Sequence, residues 1–174
     1  MQLPTHILAG VAIQKAFQRI KYRPVALLLT AVLAFLSHGL LDKLAILTYH
    51  RPDADFNDSV WVGYHVLVLL ASIFFFYKFW RKYKFGIMFA ILPDFDWVFI
   101  HGQKILGIDI PFYKTAHIHS IVHYVYDNTW PFYYLNNLPD YRYNPWTALF
   151  EIVAVILFYI LLTREGVFNR ETRR

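Results

Sequence analysis

Three stretches of the chain stay apolar for long enough to cross a bilayer. Residues 25–41 carry no charge from Val25 to Leu41, and the apolar character resumes after Asp42 and Lys43. Residues 59–77 are uncharged from Ser59 to Tyr77, and residues 146–163 contain one charge, Glu151. Each offers roughly 17–20 residues, about enough at ~1.5 Å per residue for a ~30 Å hydrocarbon core. A fourth stretch, Phe85 to Ile100, is interrupted by Leu92-Pro93-Asp94-Phe95-Asp96. A proline followed by two acids inside an apolar run must face protein or water rather than lipid. Pro4 to Phe17 is apolar along most of its length but short for a span. It does not read as a secretory signal, since no basic residue precedes it and no cleavage site follows.

The fold expected from this pattern is an all-α polytopic membrane helix bundle of four to five spans, one integral membrane domain over residues 1–174. Residues 101–145 are rich in rings, among them Tyr113, Tyr124, Tyr126, Trp130, Tyr133, Tyr134, Tyr141 and Tyr143. Amphipathic rings favour the headgroup level, so this segment is expected to form an outer cap of short interfacial helices and loops.

Composition agrees. Apolar types make up 57% and charged types only 17%, against about a quarter charged in a soluble domain, and the mean hydropathy is +0.36. A disordered chain, a coiled coil and an ordinary soluble globule are excluded. With no cysteine, disulfides and thiolate metal sites are excluded too, so any metal must be held by histidine and carboxylate. The net charge of +5 invites a nucleic-acid reading, but the placement of the charges removes it. Basic clusters at 15–23, 78–84 and 164–174 hold 12 of the 17 basic residues. The spans put all three on one side, the cytoplasmic side by the positive-inside rule, with the C-terminus among them. Ten of the 12 acids, all but Glu165 and Glu171, fall within the membrane or opposite. The basic excess is topological, and nucleic acid is not an expected partner.

An ionisable residue inside a span is costly unless paired or hydrated, which makes it a functional candidate. By helical rise from the inner ends, His38 and Asp42 lie roughly 21 and 27 Å up, and Asp94 and Asp96 roughly 14–17 Å up. His65 and Glu151 lie about 9 Å below the outer surface, and His6 rises roughly 20 Å above Arg19 if its helix inserts. These polar positions meet in the outer half of one bundle. His50, Asp53 and Asp55 lie just above them in the first outer loop, and His117, His119 and His123 in the cap. His38 and Asp42 stand at i and i+4 on one helix face, as do His119 and His123, so each pair can reach one ion. Imidazole with carboxylate suits zinc first, in one or two ions, then manganese or iron. Blander roles suit the rest. His65 reads as a hydrogen-bonded packing residue and His101 as an interfacial histidine. Asp53, Asp55 and Asp58 read as a solvated acidic loop, and Lys43 as an ion-pairing or snorkelling base.

At these residues the sequence resembles the small bacterial proteins called membrane-bound metal-dependent hydrolases, a family distantly similar to zinc-dependent phospholipase C. The resemblance rests on Thr5-His6 with Gly10, Ser37-His38-Gly39-Leu40-Leu41-Asp42, Leu92-Pro93-Asp94-Phe95-Asp96 and Ile118-His119-Ser120. It departs in order, since the family usually puts the Ser-His…Asp helix last. Lys114 also stands where a second histidine is expected, a place His117 can fill from another direction. The resemblance implies a bacterial inner-membrane enzyme whose metal is held by His6, His38, Asp42, Asp94, Asp96, His117, His119 and His123. A metal-activated water would attack a phosphoester or ester of a lipid-like substrate from the outer leaflet, with Glu151 or a nearby aspartate such as Asp96 as general base. No G-x-S-x-G motif supports a serine nucleophile. Two other classes use the same residues: a metal-binding or transport protein, and a non-catalytic membrane protein whose histidines only rigidify the bundle. Transport expects polar groups across the whole membrane thickness, whereas the inner half here is nearly free of them.

Overall fold

In the computed structural model the described residues are 2–51, 56–110, 115 and 117–171, without the side chains of 101, 104, 105 and 165–171. Asp53, Asp55, Tyr113, Lys114, Arg173, Arg174 and the side chains of His101 and Arg170 therefore lie outside them. The described chain is all-helical, with no strand: α1 (Leu3–Phe17), α2 (Arg23–Leu44), α3 (Ser59–Ile91), α4 (Phe95–Leu106), α5 (His117–Asn128) and α6 (Ala148–Glu171). Prolines open several of these elements, where the missing N–H costs nothing: Pro4 in α1, Pro24 in α2 and Pro145 in the 3₁₀ turn before α6. Asp58, expected as a solvated loop acid, instead caps α3 by accepting from Val60 N at 2.9 Å and Trp61 N at 3.2 Å.

Three helical segments are long and apolar enough to cross a membrane, Arg23–Leu47, Ser59–Ile100 and Pro145–Arg164. Their most apolar windows are only 28%, 17% and 11% buried within the protein. Leu69, Leu70, Ile73 and Leu157 are each more than half exposed. An apolar surface this continuous needs a cover, and hydrocarbon is the one its length and composition match.

α1 is the axis of the bundle. Its eight consecutive residues Pro4–Val11 are all buried, and it packs against α2, α3 and α6. Hydrogen bonds at its two ends set the direction of its neighbours. Near its start, Thr5 Oγ1 donates to Glu151 Oε1 of α6 at 2.8 Å. Near its end, Lys15 Nζ donates to Leu162 O at 2.8 Å. α1 and α6 thus run parallel, while α2 runs against them, bringing Asp42 at its far end to His6.

The long α3 doubles back. Tyr64 reaches Glu151 beside Thr5, Lys82 O accepts from Gln14 Nε2, and Asp94, just past the helix end, stands 3.6 Å from His38. A straight helix would set residues 64 and 94 about 45 Å apart, yet both lie at the same end of α1. The reversal falls at Tyr83, whose φ of −126° and ψ of 22° leave the helical region. On the returning arm, Gly86 N donates to Gln14 Oε1 at 2.7 Å. There α1 and α3 touch backbone to backbone, since a Cβ on Gly10 would come within 2.4 Å of Gly86 O. One end of the bundle therefore carries Lys15 and the reversal. The other carries the histidines and aspartates.

Candidate metal centre

Asp42 is the hub of that second end. His6 Nε2 lies 3.3 Å from its Oδ1, while His38, His119 and His123 point Nε2 at its Oδ2 from 3.1, 2.8 and 3.6 Å. Asp94 Oδ1 stands 3.6 Å from His38 Nε2. The rings interlock, His6 stacked on His38 at 4.1 Å, His38 edge-on to His119 at 5.0 Å, and His119 stacked on His123 at 5.2 Å. His6 and His38 are buried, and Asp94 keeps a side-chain exposure of 37%.

The local sequence explains the convergence. The i, i+4 spacings put His38 with Asp42 and His119 with His123 on single faces. Pro93 ends the rising arm of α3 in a 3₁₀ turn that swings Asp94 toward His38. Gly39 lets α5 close on α2, since a Cβ there would lie 2.3 Å from Val122 Cγ1. Asp96 is fully buried, and its Oδ2 accepts from His119 N at 2.8 Å. That bond fixes the first turn of α5, so Asp96 spends its charge on the backbone of a neighbour of Asp42.

The outer ring nitrogens settle what the inner ones can do. His38 Nδ1 lies 2.8 Å from Ala90 O and His119 Nδ1 3.3 Å from Pro93 O. A carbonyl can only accept, so each Nδ1 carries the proton and a neutral ring turns a bare Nε2 lone pair inward. His38 Nε2 is buried and makes no hydrogen bond, while the oxygens of Asp42 and Asp94 stand before it. Lone pair against carboxylate repels unless a cation sits between them. A second proton on the ring is one such cation, but the four crowded rings would then repel one another. At His119 burial works against that second proton, yet the hydrogen bond a protonated Nε2 donates to Asp42 Oδ2 at 2.8 Å outweighs burial and raises the pKa. There a proton competes with a metal for the same place.

A metal ion would relieve this repulsion wherever enough donors converge. Three groups offer donor atoms mutually within 4.8 Å: His6, His38 and Asp42; His38, Asp94 and His119; Asp42, His119 and His123. Tetrahedral zinc with N and O ligands at about 2.0–2.1 Å needs donors roughly 3.3 Å apart, and the five separations above bracket that value. Carbonyl-fixed imidazoles facing a shared carboxylate are also what metal sites use to orient their ligands.

Of the residues singled out in sequence, His6, His38, Asp42, Asp94, His119 and His123 come together, and Asp96 supports them from α4 by holding the start of α5. His117 is exposed and meets Thr115, its Nε2 3.1 Å from the hydroxyl, and belongs to none of the three groups. Glu151 is buried against the first turn of α1, where its carboxylate accepts from Gln2 N at 2.5 Å, Thr5 Oγ1 at 2.8 Å and Tyr64 OH at 3.3 Å. It ties the first turn of α1, and His6 with it, to α6. His65 bonds Trp61 O within its own helix at 2.8 Å, as a packing histidine should. Lys43 turns away from Asp42 to Asp127 and Asn136, at 2.5 and 2.7 Å.

Above the cluster opens a cavity of about 720 Å³ whose lining includes His50, Arg51 and Arg142. His50 Nδ1 meets Gln2 Nε2 at 2.9 Å, and burial, aided by the positive N-terminus, pushes the ring pKa down to about 4. Sequence reasoning placed His50 near the site but passed over the two arginines. Arg142 belongs to a loop with no periodicity, and only its backbone reveals its place, with His50 N donating to Arg142 O at 3.1 Å. Comparison of the chain with family models, with curated proteins and with solved structures finds no match.

Proposed function

We propose that the protein is a membrane-embedded metal-dependent hydrolase that cleaves a phosphoester or ester of a lipid-like substrate. The observation that carries this reading is the buried Nε2 of His38, held bare by Ala90 O and facing two carboxylates. His6, His38, Asp42, Asp94, His119 and His123 would hold one or two ions, zinc first and manganese or iron as alternatives. Zinc bound there would lower the pKa of water and polarise a phosphoryl or acyl oxygen.

The protein's own groups do the rest. Ala90 and Pro93 carbonyls hold the tautomers of His38 and His119. Asp96 holds α5, and Glu151 holds α1. Asp94, the cluster's most exposed carboxylate and part of the cavity lining, would take a proton from the attacking water through the oxygen it does not give to the metal. The bundle sits in a bacterial inner membrane with α1 inserted and each arm of α3 entering separately, giving four to five crossings. Residues 101–145 cap its outer face, the basic clusters and the C-terminus lie in the cytoplasm, and substrate enters from the outer leaflet. The family resemblance and the separation of the three basic clusters from the His/Asp end support this arrangement.

Metal content of detergent-purified protein, wild type beside His38→Ala and Asp94→Ala, tests the reading. Stoichiometric zinc or manganese is expected in wild type and much less in both variants. Folded wild-type protein that stays metal-free after zinc reconstitution overturns it.

A further inference from the structure

The cavity above the cluster is charged in a way the metal does not require. Its floor is made by Asp42, Asp94, His119 and His123, and its walls present Lys43, Arg51 and Arg142. Each cation meets an acid among the described residues. Arg142 forks onto Asp140, with Nη2 2.7 Å from Oδ2 and Nε 3.0 Å from Oδ1. Lys43 Nζ holds Asp127 Oδ1 at 2.5 Å, and Arg51 Nη1 lies 3.4 Å from Asp58 Oδ2. None of those three acids lines the cavity. These contacts hold the cationic heads, and those acids do not themselves line the cavity, so among the described residues its walls present three cations. Among the described residues, the carboxylates that line the space are Asp42 and Asp94, the two assigned to metal.

The segment bearing Arg142 is also fixed. Tyr141 N donates to Ile46 O at 2.8 Å and His50 N to Arg142 O at 3.1 Å, pinning residues 141–142 along the stretch that follows α2. Lys43 and Arg51 flank that same stretch. One backbone clasp thus sets all three cations around one opening.

A neutral carboxylic ester has no use for three cations beside its reacting group. A phosphate does, because guanidinium N–H groups donate to its oxygens and ammonium adds a point charge. We infer that Lys43, Arg51 and Arg142 form an anion subsite that selects a substrate carrying a phosphate group beside the metal centre. This rests on the hydrolase reading and narrows it from phosphoester or ester to phosphoester. None of the three cations belongs to the motifs on which the family resemblance stands.

The test titrates inorganic phosphate, dihexanoyl phosphatidic acid and dihexanoylglycerol into zinc-reconstituted protein in non-ionic detergent, followed by calorimetry. Wild type is compared with Arg142→Gln, Arg51→Gln and Arg142→Lys, with zinc content and thermal stability measured on each preparation. Both phosphate compounds are expected to bind and the uncharged glyceride is not. Each glutamine variant should weaken phosphate binding at least about tenfold at wild-type zinc content, and Arg142→Lys should recover part of the loss. Tighter binding of phosphatidic acid than of phosphate supports a lipid source, and equal binding supports a free phosphoester. Unchanged affinity in both glutamine variants, or equal binding of the glyceride, overturns the subsite. If wild type carries no zinc, the hydrolase reading falls. The variant series still reads the cations directly.

Discussion

The contact between Gly10 and Gly86 sets how well His6 can reach the centre, and Gly10→Ala probes it. The new methyl would stand 2.4 Å from Gly86 O and 2.9 Å from the Ala90 Cβ, where ordinary contact starts at 3.4 Å. Neither obstacle is a flexible side chain, so α1 and the returning arm of α3 must part by about 1 Å. His6 stands one turn from Gly10 on α1 and moves with it. Its Nε2 starts 3.3 Å from Asp42 Oδ1, and metal–ligand lengths tolerate only about 0.2 Å. His6 is therefore expected to drop out as a ligand. Overpacking costs about 1–3 kcal/mol, offset by the ~1 kcal/mol helix preference of alanine, for a net loss of up to ~2 kcal/mol. Gly63→Ala is the control, because nothing lies within 4 Å of its Cβ. Thermal unfolding in one detergent and chelator competition for zinc measure the two effects. Gly10→Ala protein with the melting temperature and zinc affinity of Gly63→Ala would refute the reasoning.

Two further outcomes follow from the polar groups beyond the hub. Glu151→Ala leaves Gln2 N, Thr5 Oγ1 and Tyr64 OH without their acceptor, at about 1–3 kcal/mol each, so its melting temperature should fall sharply. A Glu151→Ala protein as stable as wild type but inactive would instead make Glu151 the general base. For His50, the folded pKa of about 4 lies below the unfolded 6.5. The unfolded chain therefore takes up a proton first as pH falls, and stability drains away between about pH 6.5 and 4, by on the order of 3 kcal/mol in full. His50→Gln should show a shallower fall in melting temperature from pH 7.5 to pH 5, and an equally steep fall would show that His50 stays hydrated.

The convergence of His6, His38, Asp42, Asp94 and His119 is readable in sequence for an energetic reason. Ionisable groups in apolar runs need partners, and in a narrow bundle the candidates at one depth are few. Their division of labour is not readable. Asp94 and Asp96 stand two residues apart in one motif, yet one faces the imidazoles and the other captures a backbone N–H of α5, because the 3₁₀ turn at Pro93 points them apart. Glu151 shows the same ambiguity, since a buried acid that anchors a helix start and one that moves a proton leave the same trace in a hydropathy pattern. The reversal at Tyr83 is half visible. The basic cluster at 78–84 marks its place, but with no proline or glycine at the bend, nothing in the pattern says that helical bonding runs almost unbroken through it. Arg142 is invisible because loop pairing to residues 46–50 has no periodic signature.

The six proposed ligands come from the start of α1, the end of α2, the turn after α3 and the first two turns of α5. An ion gripping all of them would cross-link segments that span most of the chain, and its binding energy would become folding energy. A cell short of that metal would then lose the protein itself before it lost a working copy. Loosely folded bundles are what membrane proteases remove, so the steady-state amount of this chain should rise and fall with metal supply even at constant synthesis.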